Sequence, residues 1–247
     1  MKFNYQIIIE YIGKNFAGWQ IQKNSNSIQA EVEKAIRKTL RSKVNIIGSG
    51  RTDAGVNAIA QSANFFYEKK ISNNFKFLST VNYFLRNHSI SILHLKKRSS
   101  SFHARRSAKR RQYEYIIINR AAKLVIDSER AWLVKKKLDI KEMKKAIKYF
   151  LGTHDFSALR ASSCTAKNPI KTILQANVKK NGDKISIIFV SKSFLQKQVR
   201  SMVGCLKYVG EQKWTSKKIL QVIKSKKRYM CAPPAPAQGL FLKKIFY

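Results

Sequence analysis

Two α+β units of similar design are what this 247-residue sequence predicts. Three observations carry the expectation. Strand and helix patterns succeed one another as strand-helix-strand-strand-helix-strand, roughly twice over. The length suits two folded units of ordinary size, or one large one, since such units usually run to about 100 to 200 residues. A composition that is 44% hydrophobic and 11% aromatic, with 10 Gly and 4 Pro, excludes a disordered or collagen-like chain. Repeated units of this kind can join their sheets edge to edge.

In the first half, residues 3–11 are rich in β-branched and aromatic side chains and stop at Gly13, which reads as a strand and turn. A helix follows. Ser27 caps it, Glu31 and Glu33 suit its first turns, and Ile28, Val32, Ile36 and Leu40 recur every four residues along one stripe. Residues 44–47 and 58–67 read as strands, separated by the glycine-rich, polar stretch 48–55. Residues 75–85 form a second amphipathic helix, with Phe77, Leu78, Val81 and Leu85 on one side, and 90–95 a further strand.

A basic stretch, 96–111, holds eight Lys or Arg in sixteen residues and leads into the second half. The expected boundary falls within 99–107, giving units 1–104 and 105–247. Residues 113–118 read as a strand. Asp139 with Glu142 three residues on forms a capping box for a helix carrying Ile140, Met143, Ile147 and Phe150. Residues 170–178 and 185–190 flank Asn181-Gly182-Asp183, a hairpin signal. Helices over 194–209 and 216–223 and a closing strand over 239–247 complete the pattern.

The 50 Lys and Arg against 13 Asp and Glu give a formal charge of +37, a field that draws in polyanions. Nucleic acid leads that class. Lys outnumbers Arg 36 to 14, a bias that genome composition alone can also produce. No apolar run reaches the roughly 18 residues that cross a membrane, and the N-terminus has no signal-peptide pattern, so a cytoplasmic protein is expected. Cys164, Cys205 and Cys231 are odd in number and widely spaced, which argues against a disulfide framework or a zinc site.

The chemistry concentrates in Gly48-Ser49-Gly50-Arg51-Thr52-Asp53-Ala54-Gly55-Val56, where glycines permit a tight turn around one acidic residue. A dinucleotide loop needs Gly where Asp53 stands, and the Lys-Ser/Thr ending of a phosphate loop is absent. No second carboxylate lies nearby to make a metal pair. Asp53 taken alone reads first as a turn residue bonding its own backbone. Arg51, two positions away, would keep its carboxylate ionised and oriented, ready to attack an electrophilic carbon or take a proton.

At these residues the sequence resembles the TruA-type tRNA pseudouridine synthases. The family pattern Gly-Arg-Thr-Asp-Ala-Gly-Val-His-Ala appears as Gly50-Arg51-Thr52-Asp53-Ala54-Gly55-Val56-Asn57-Ala58, with Asn57 in place of His. Gly18-Trp19-Gln20-Ile21-Gln22, Phe102-His103-Ala104-Arg105, Arg111-Gln112-Tyr113-Glu114-Tyr115, Val199-Arg200 with Val203-Gly204, and Gly239-Leu240-Phe241-Leu242 match further elements in order. Ile12 departs from the usual Asp, and Gln196-Lys197-Gln198 from the pattern before the arginine.

The resemblance implies the pseudouridine synthase fold: two ferredoxin-like βαββαβ halves, a joined sheet and a central cleft. It implies isomerisation of uridine to pseudouridine in the tRNA anticodon arm, at positions 38, 39 and 40, by a homodimer without metal or other cofactor. Asp53 takes the catalytic position, Arg51 and Arg200 assist it, and Tyr113 stacks on the flipped uracil. Alternation along the strand is expected to put Tyr113 and Tyr115 on opposite faces, leaving one for packing. Arg105, Arg106, Lys109, Arg110 and Arg111 are the expected phosphate contacts.

Overall fold

The computed structural model describes residues 2–247. The chain divides into two compact units, Met1–Lys109 with Leu242–Tyr247, and Arg110–Phe241. The α+β class predicted from the sequence is the one observed.

Unit 1 contains β1 (Phe3–Tyr11), α1 (Ile28–Leu40), β2 (Ile47–Gly48), β3 (Asn57–Tyr67), α2 (Asn74–Leu85) and β4 (Ile90–Arg98). β1 is the central partner, antiparallel to β3 from Phe3↔Tyr67 to Tyr11↔Ala58 and to β4 from Asn4↔Arg98 to Tyr11↔Ile90. β2 pairs with β3 through Ile47↔Asn64 and Gly48↔Ala63. The helices cover this sheet because their four-residue repeats concentrate apolar side chains on one face: Ile28, Val32 and Ile36 of α1 and Phe77, Val81 and Leu85 of α2 are buried. Each fully buried aliphatic side chain contributes about 1.5–3 kcal/mol of transfer free energy. Ser27 Oγ caps α1 by accepting from Ala30 N–H at 3.3 Å, and Arg41 ends it in a left-handed conformation, φ 51°.

Residues 44–46 are not the strand that their apolar character suggests. Two side chains of α1 take their backbone groups: Glu33 Oε1 accepts from Ile46 N–H at 3.0 Å, and Arg37 Nε donates to Val44 O at 2.9 Å. A chain so engaged has fewer groups left for a ladder.

Unit 2 contains β5 (Arg110–Asn119), β6 (Trp132–Val134), α3 (Ile140–Ala146), β7 (Gly152–Asp155), β8 (Ile170–Asn181), β9 (Lys184–Ser191), α4 (Gln198–Gly210) and α5 (Lys218–Ser225). The sheet runs β5-β9-β8-β7, with β6 parallel to β5. Asp139 caps α3 as expected, accepting from Glu142 N–H at 3.0 Å. The hairpin closes at Asn181↔Lys184, with Gly182 at φ +55°. α4 begins four residues later than the apolar pattern suggests. Lys197 is left-handed, φ 59°, so a helix cannot run through it from 194. Ten of the thirteen residues of α4 are buried, and α3 packs against it.

The last strand, β10 (Leu240–Phe246), supplies unit 1 from Leu242 onward and lies beside β3. Tyr247 then anchors the chain: its hydroxyl is hydrogen-bonded to Ser62 Oγ at 2.7 Å and to Ala104 O at 3.0 Å. No helix among the described residues is long and apolar enough to cross a membrane.

Candidate active site

Asp53 lies in the turn between β2 and β3, and the surrounding chain is fixed at nearly every peptide. Ser49 N–H donates to Ser62 O at 2.8 Å, Trp19 N–H to Thr52 O at 3.2 Å, and Val56 N–H to Asp53 O at 3.1 Å. Gln61 braces the same turn from β3, its Nε2 donating to Gly50 O at 2.9 Å and its Oε1 accepting from Ser49 Oγ at 2.8 Å. Thr52 Oγ1 shares a 2.8 Å hydrogen bond with Tyr11 OH. The Asp53 side chain is left half-buried.

Two glycines make this fit possible. Gly18 has φ +104°, and a Cβ there would stand 2.5 Å from Thr52 O; one at Gly48 would stand 2.4 Å from Trp19 Nε1. Both distances are below any real contact, so only glycine lets the Trp19 segment lie flush on the Asp53 turn. Trp19 itself is 1% exposed and fills the space beneath. Arg51 is exposed, and its Nε donates to Gln20 Oε1 at 3.3 Å, which orients it from the same segment. Asn57, where the family pattern has His, is fully buried and its Oδ1 accepts from Gly13 N–H at 2.8 Å.

Unit 2 carries Tyr113 and Arg200. Tyr113 sits on β5 opposite Phe189, is 8% exposed, and meets Phe194 edge-on with ring centroids 5.2 Å apart. Tyr115 shares its face of the strand. The expectation of opposite faces is thereby corrected: residues two apart in a strand point the same way. Tyr115 is packing, wholly buried, with its hydroxyl donating to Pro236 O at 2.8 Å and its ring against Gly239. Burial pushes its phenol well above the ordinary tyrosine range, and the charge of Arg200 opposes that rise. Arg200, half-buried in the first turn of α4, donates from Nε to Ala235 O at 2.7 Å, and Ala235 N–H donates to Arg200 O at 2.9 Å.

A model of the tRNA pseudouridine synthase family matches residues 7–105 and 146–247. The tRNA pseudouridine synthase A of Pelagibacter ubique is 58% identical over 245 residues, 99% of this chain and all of the relative. The chain belongs to the tRNA pseudouridine synthase family. A second relative, the tRNA pseudouridine synthase A of Parvibaculum lavamentivorans, is 40% identical over 98% of both chains. The protein is therefore a pseudouridine synthase acting on tRNA. The family match includes Arg51, Asp53 and Arg200 and leaves out 106–145, where Tyr113 lies.

In this synthase the basic run is shaped by His103, which lies in one of the matched elements, and by Asn64 and Asn4, which sequence pattern did not single out. Arg105, Arg106 and Lys109 of unit 1 and Arg110 of unit 2 are exposed; Arg111 is half-buried and donates to Lys192 O. The turn carrying the first two is built on His103, whose Nδ1 accepts from Arg105 N–H at 3.2 Å and Arg106 N–H at 3.3 Å. Asn64 fixes the turn from below, accepting from Ala104 N–H at 2.8 Å and donating to Asn4 Oδ1 at 2.9 Å. Asn4 in turn donates to Ser99 O and Phe102 O. The available signal was polar residues at strand positions among buried neighbours, since a buried amide must find partners.

Among the described residues no group of three or more His, Cys, Asp or Glu is arranged to hold a metal ion.

Proposed function

We propose that this synthase converts uridine to pseudouridine at positions 38, 39 and 40 of the tRNA anticodon stem-loop, with Asp53 as the catalytic carboxylate. The rigid backbone around Asp53 carries this reading: three backbone hydrogen bonds and two close glycine approaches fix the turn that presents one half-buried acidic side chain. In the reaction the bond from uracil N1 to ribose C1′ breaks, the base turns, C5 bonds to C1′, the C5 proton leaves to solvent, and N1 takes up a proton in its place. An ionised carboxylate assists by adding to sugar or base, or by removing a sugar proton.

Tyr113 stacks on the extruded uracil. Arg51, two positions from Asp53, supplies positive charge that keeps the carboxylate ionised, and Arg200 assists the reaction. Arg105, Arg106, Lys109, Arg110 and Arg111 engage phosphates with little regard to sequence. The enzyme acts in the cytoplasm as a homodimer whose two subunits share one tRNA, and it needs no cofactor.

The test is tritium release from tRNA labelled at uridine C5, with and without chelator. The wild type releases tritium in both. Asp53→Asn abolishes release while tRNA affinity stays within about tenfold, or about 1.4 kcal/mol. Substantial turnover by that variant would show that another group does the chemistry. Intact binding without release by the wild type would leave only an RNA-binding protein.

A further inference from the structure

Two cysteines that the reaction does not use meet behind Arg200. Cys205, buried on α4, and Cys231, half-buried just beyond a short 3₁₀ turn (Arg228–Met230), have their sulfurs 3.5 Å apart. The segment running on from Cys231 lies flush on the helix: a Cβ at Gly204 would stand 2.0 Å from Pro233 O. Two residues later it reaches Ala235, the residue that exchanges two hydrogen bonds with Arg200. We propose that Cys231 and Cys205 form a peroxide-oxidisable dithiol whose closure to a disulfide pulls the 231–236 segment along α4 and shuts off turnover by releasing Arg200. The second half of this rests on the role given to Arg200 above.

Position and charge divide the labour. Cys231 is the less buried of the two thiols. The hydrogen bond from Cys205 holds it below the usual thiol range, Arg228 assists, and burial works the other way. Cys205, by the same hydrogen bond and its burial, is held well above that range and stays protonated. The Cys231 thiolate therefore attacks a hydroperoxide. The O–O bond breaks, the departing oxygen takes a proton and leaves as water or an alcohol, and Cys231 becomes a sulfenic acid. Cys205 sulfur then displaces the hydroxyl, which leaves as water with the Cys205 proton. Two electrons pass from the thiols to the peroxide.

A disulfide needs sulfurs about 2.05 Å apart, so the pair must close by roughly 1.5 Å. α4 is buried on most of its faces and cannot follow. The turn that carries Cys231 gives way instead, and the chain running from it to Ala235 shifts with it. A displacement on the order of 1 Å at a positioning group costs up to about a hundredfold in rate.

The test treats the whole protein with hydrogen peroxide, maps cysteine peptides by mass spectrometry and measures tritium release. In Cys164→Ser both remaining thiols disappear together as one Cys205–Cys231 peptide, turnover falls at least about tenfold, and dithiothreitol restores both. Cys231→Ser keeps basal turnover and resists peroxide. Cys205→Ala, which keeps the helix packed, stops at a sulfenic acid on Cys231 that dimedone traps. Oxidation of Cys164 in the wild type without any Cys205–Cys231 peptide overturns the dithiol. A cross-linked enzyme with full turnover overturns the control by Arg200. Arg200→Ala then tells the two failures apart: if it too turns over normally, the role of Arg200 is wrong and the dithiol stands; if it is inactive, Arg200 matters and the coupling is wrong.

Discussion

The two units hold their candidate site residues by different physics. Around Asp53 the constraint is backbone on backbone: peptide hydrogen bonds, with glycines where any side chain would collide. Around Tyr113 and Arg200 it is packing and one reciprocal tether, an aromatic edge contact and the pair of bonds to Ala235. Backbone fixation has little slack and fails abruptly; side-chain packing yields gradually, since cores accept volume-conserving changes at modest cost. The first arrangement suits a group whose position decides the chemistry, the second a surface that receives a base.

The strongest way to break this contrast is Gly18→Ala. With φ +104° and Thr52 O 2.5 Å from the new methyl, the Asp53 turn must shift. Turnover should fall about a hundredfold, with melting showing a loss of about 3 kcal/mol or more. Gly182→Ala is the matched control in unit 2: its φ is +55° but nothing lies within 4 Å, so about 1 kcal/mol and unchanged turnover are expected. Equal effects from both would erase the distinction.

Next in size is Glu211, at the far end of the helix that carries Arg200 and buried under Lys207 at 2.7 Å and Lys213 at 3.2 Å. Glu211→Gln strands the half-buried Lys207 and should cost about 3 kcal/mol by denaturant titration, without touching turnover per folded molecule. Burial pushes the Glu211 carboxyl up, but the two lysines outweigh it and the net shift is downward. A depressed folded value means the contribution is complete above the ordinary carboxylate range and is lost as pH falls through the lowered value. The gap between wild type and Glu211→Gln should therefore close on acidification below about pH 4.

A smaller effect sharpens the reading of the Asp53 turn. Asn57→Ala leaves Gly13 N–H buried without its acceptor and should cost about 1–3 kcal/mol, whereas Asn57→His, which offers a ring nitrogen, should cost less. Smallest is the phosphate surface. Removing both exposed charges in Arg105→Ala/Arg106→Ala should lower the slope of log affinity against log salt by roughly 1.4 to 1.8, seen by filter binding over a salt series.

Local rules made much of this molecule legible. The Ser27 and Asp139 caps, the Asn181-Gly182 hairpin and the long amphipathic helices are decided by neighbours within a few residues, and they form as expected. What pattern could not supply were features set by distant partners. Residues 44–46 lost their strand to Glu33 and Arg37, and β6 and β7, three and four residues long, exist only because a ladder is there to receive them. At the site, Asp53 and Arg51 stand out in the sequence, and Gly18 falls in a matched element, but the bracing of the Asp53 turn by Gln61, Tyr11 and Gly18 does not show there. Those residues act through contacts made across thirty positions or more, or from the next strand, and no periodicity announces them.

Unit 1 is discontinuous in the chain, completed by the strand that begins to serve it at Leu242. During synthesis, Met1–Lys109 emerges first, and the 132 residues of Arg110–Phe241 (241 minus 110 plus 1) follow before that strand exists. At about 5–20 residues per second this is a wait on the order of ten seconds, in which the edge of β3 beside the future β10 stands unpaired. The Asp53 unit thus stays one strand short until Leu242–Tyr247 has been made, and a nascent chain in that interval is a natural client for a chaperone that shields open edges.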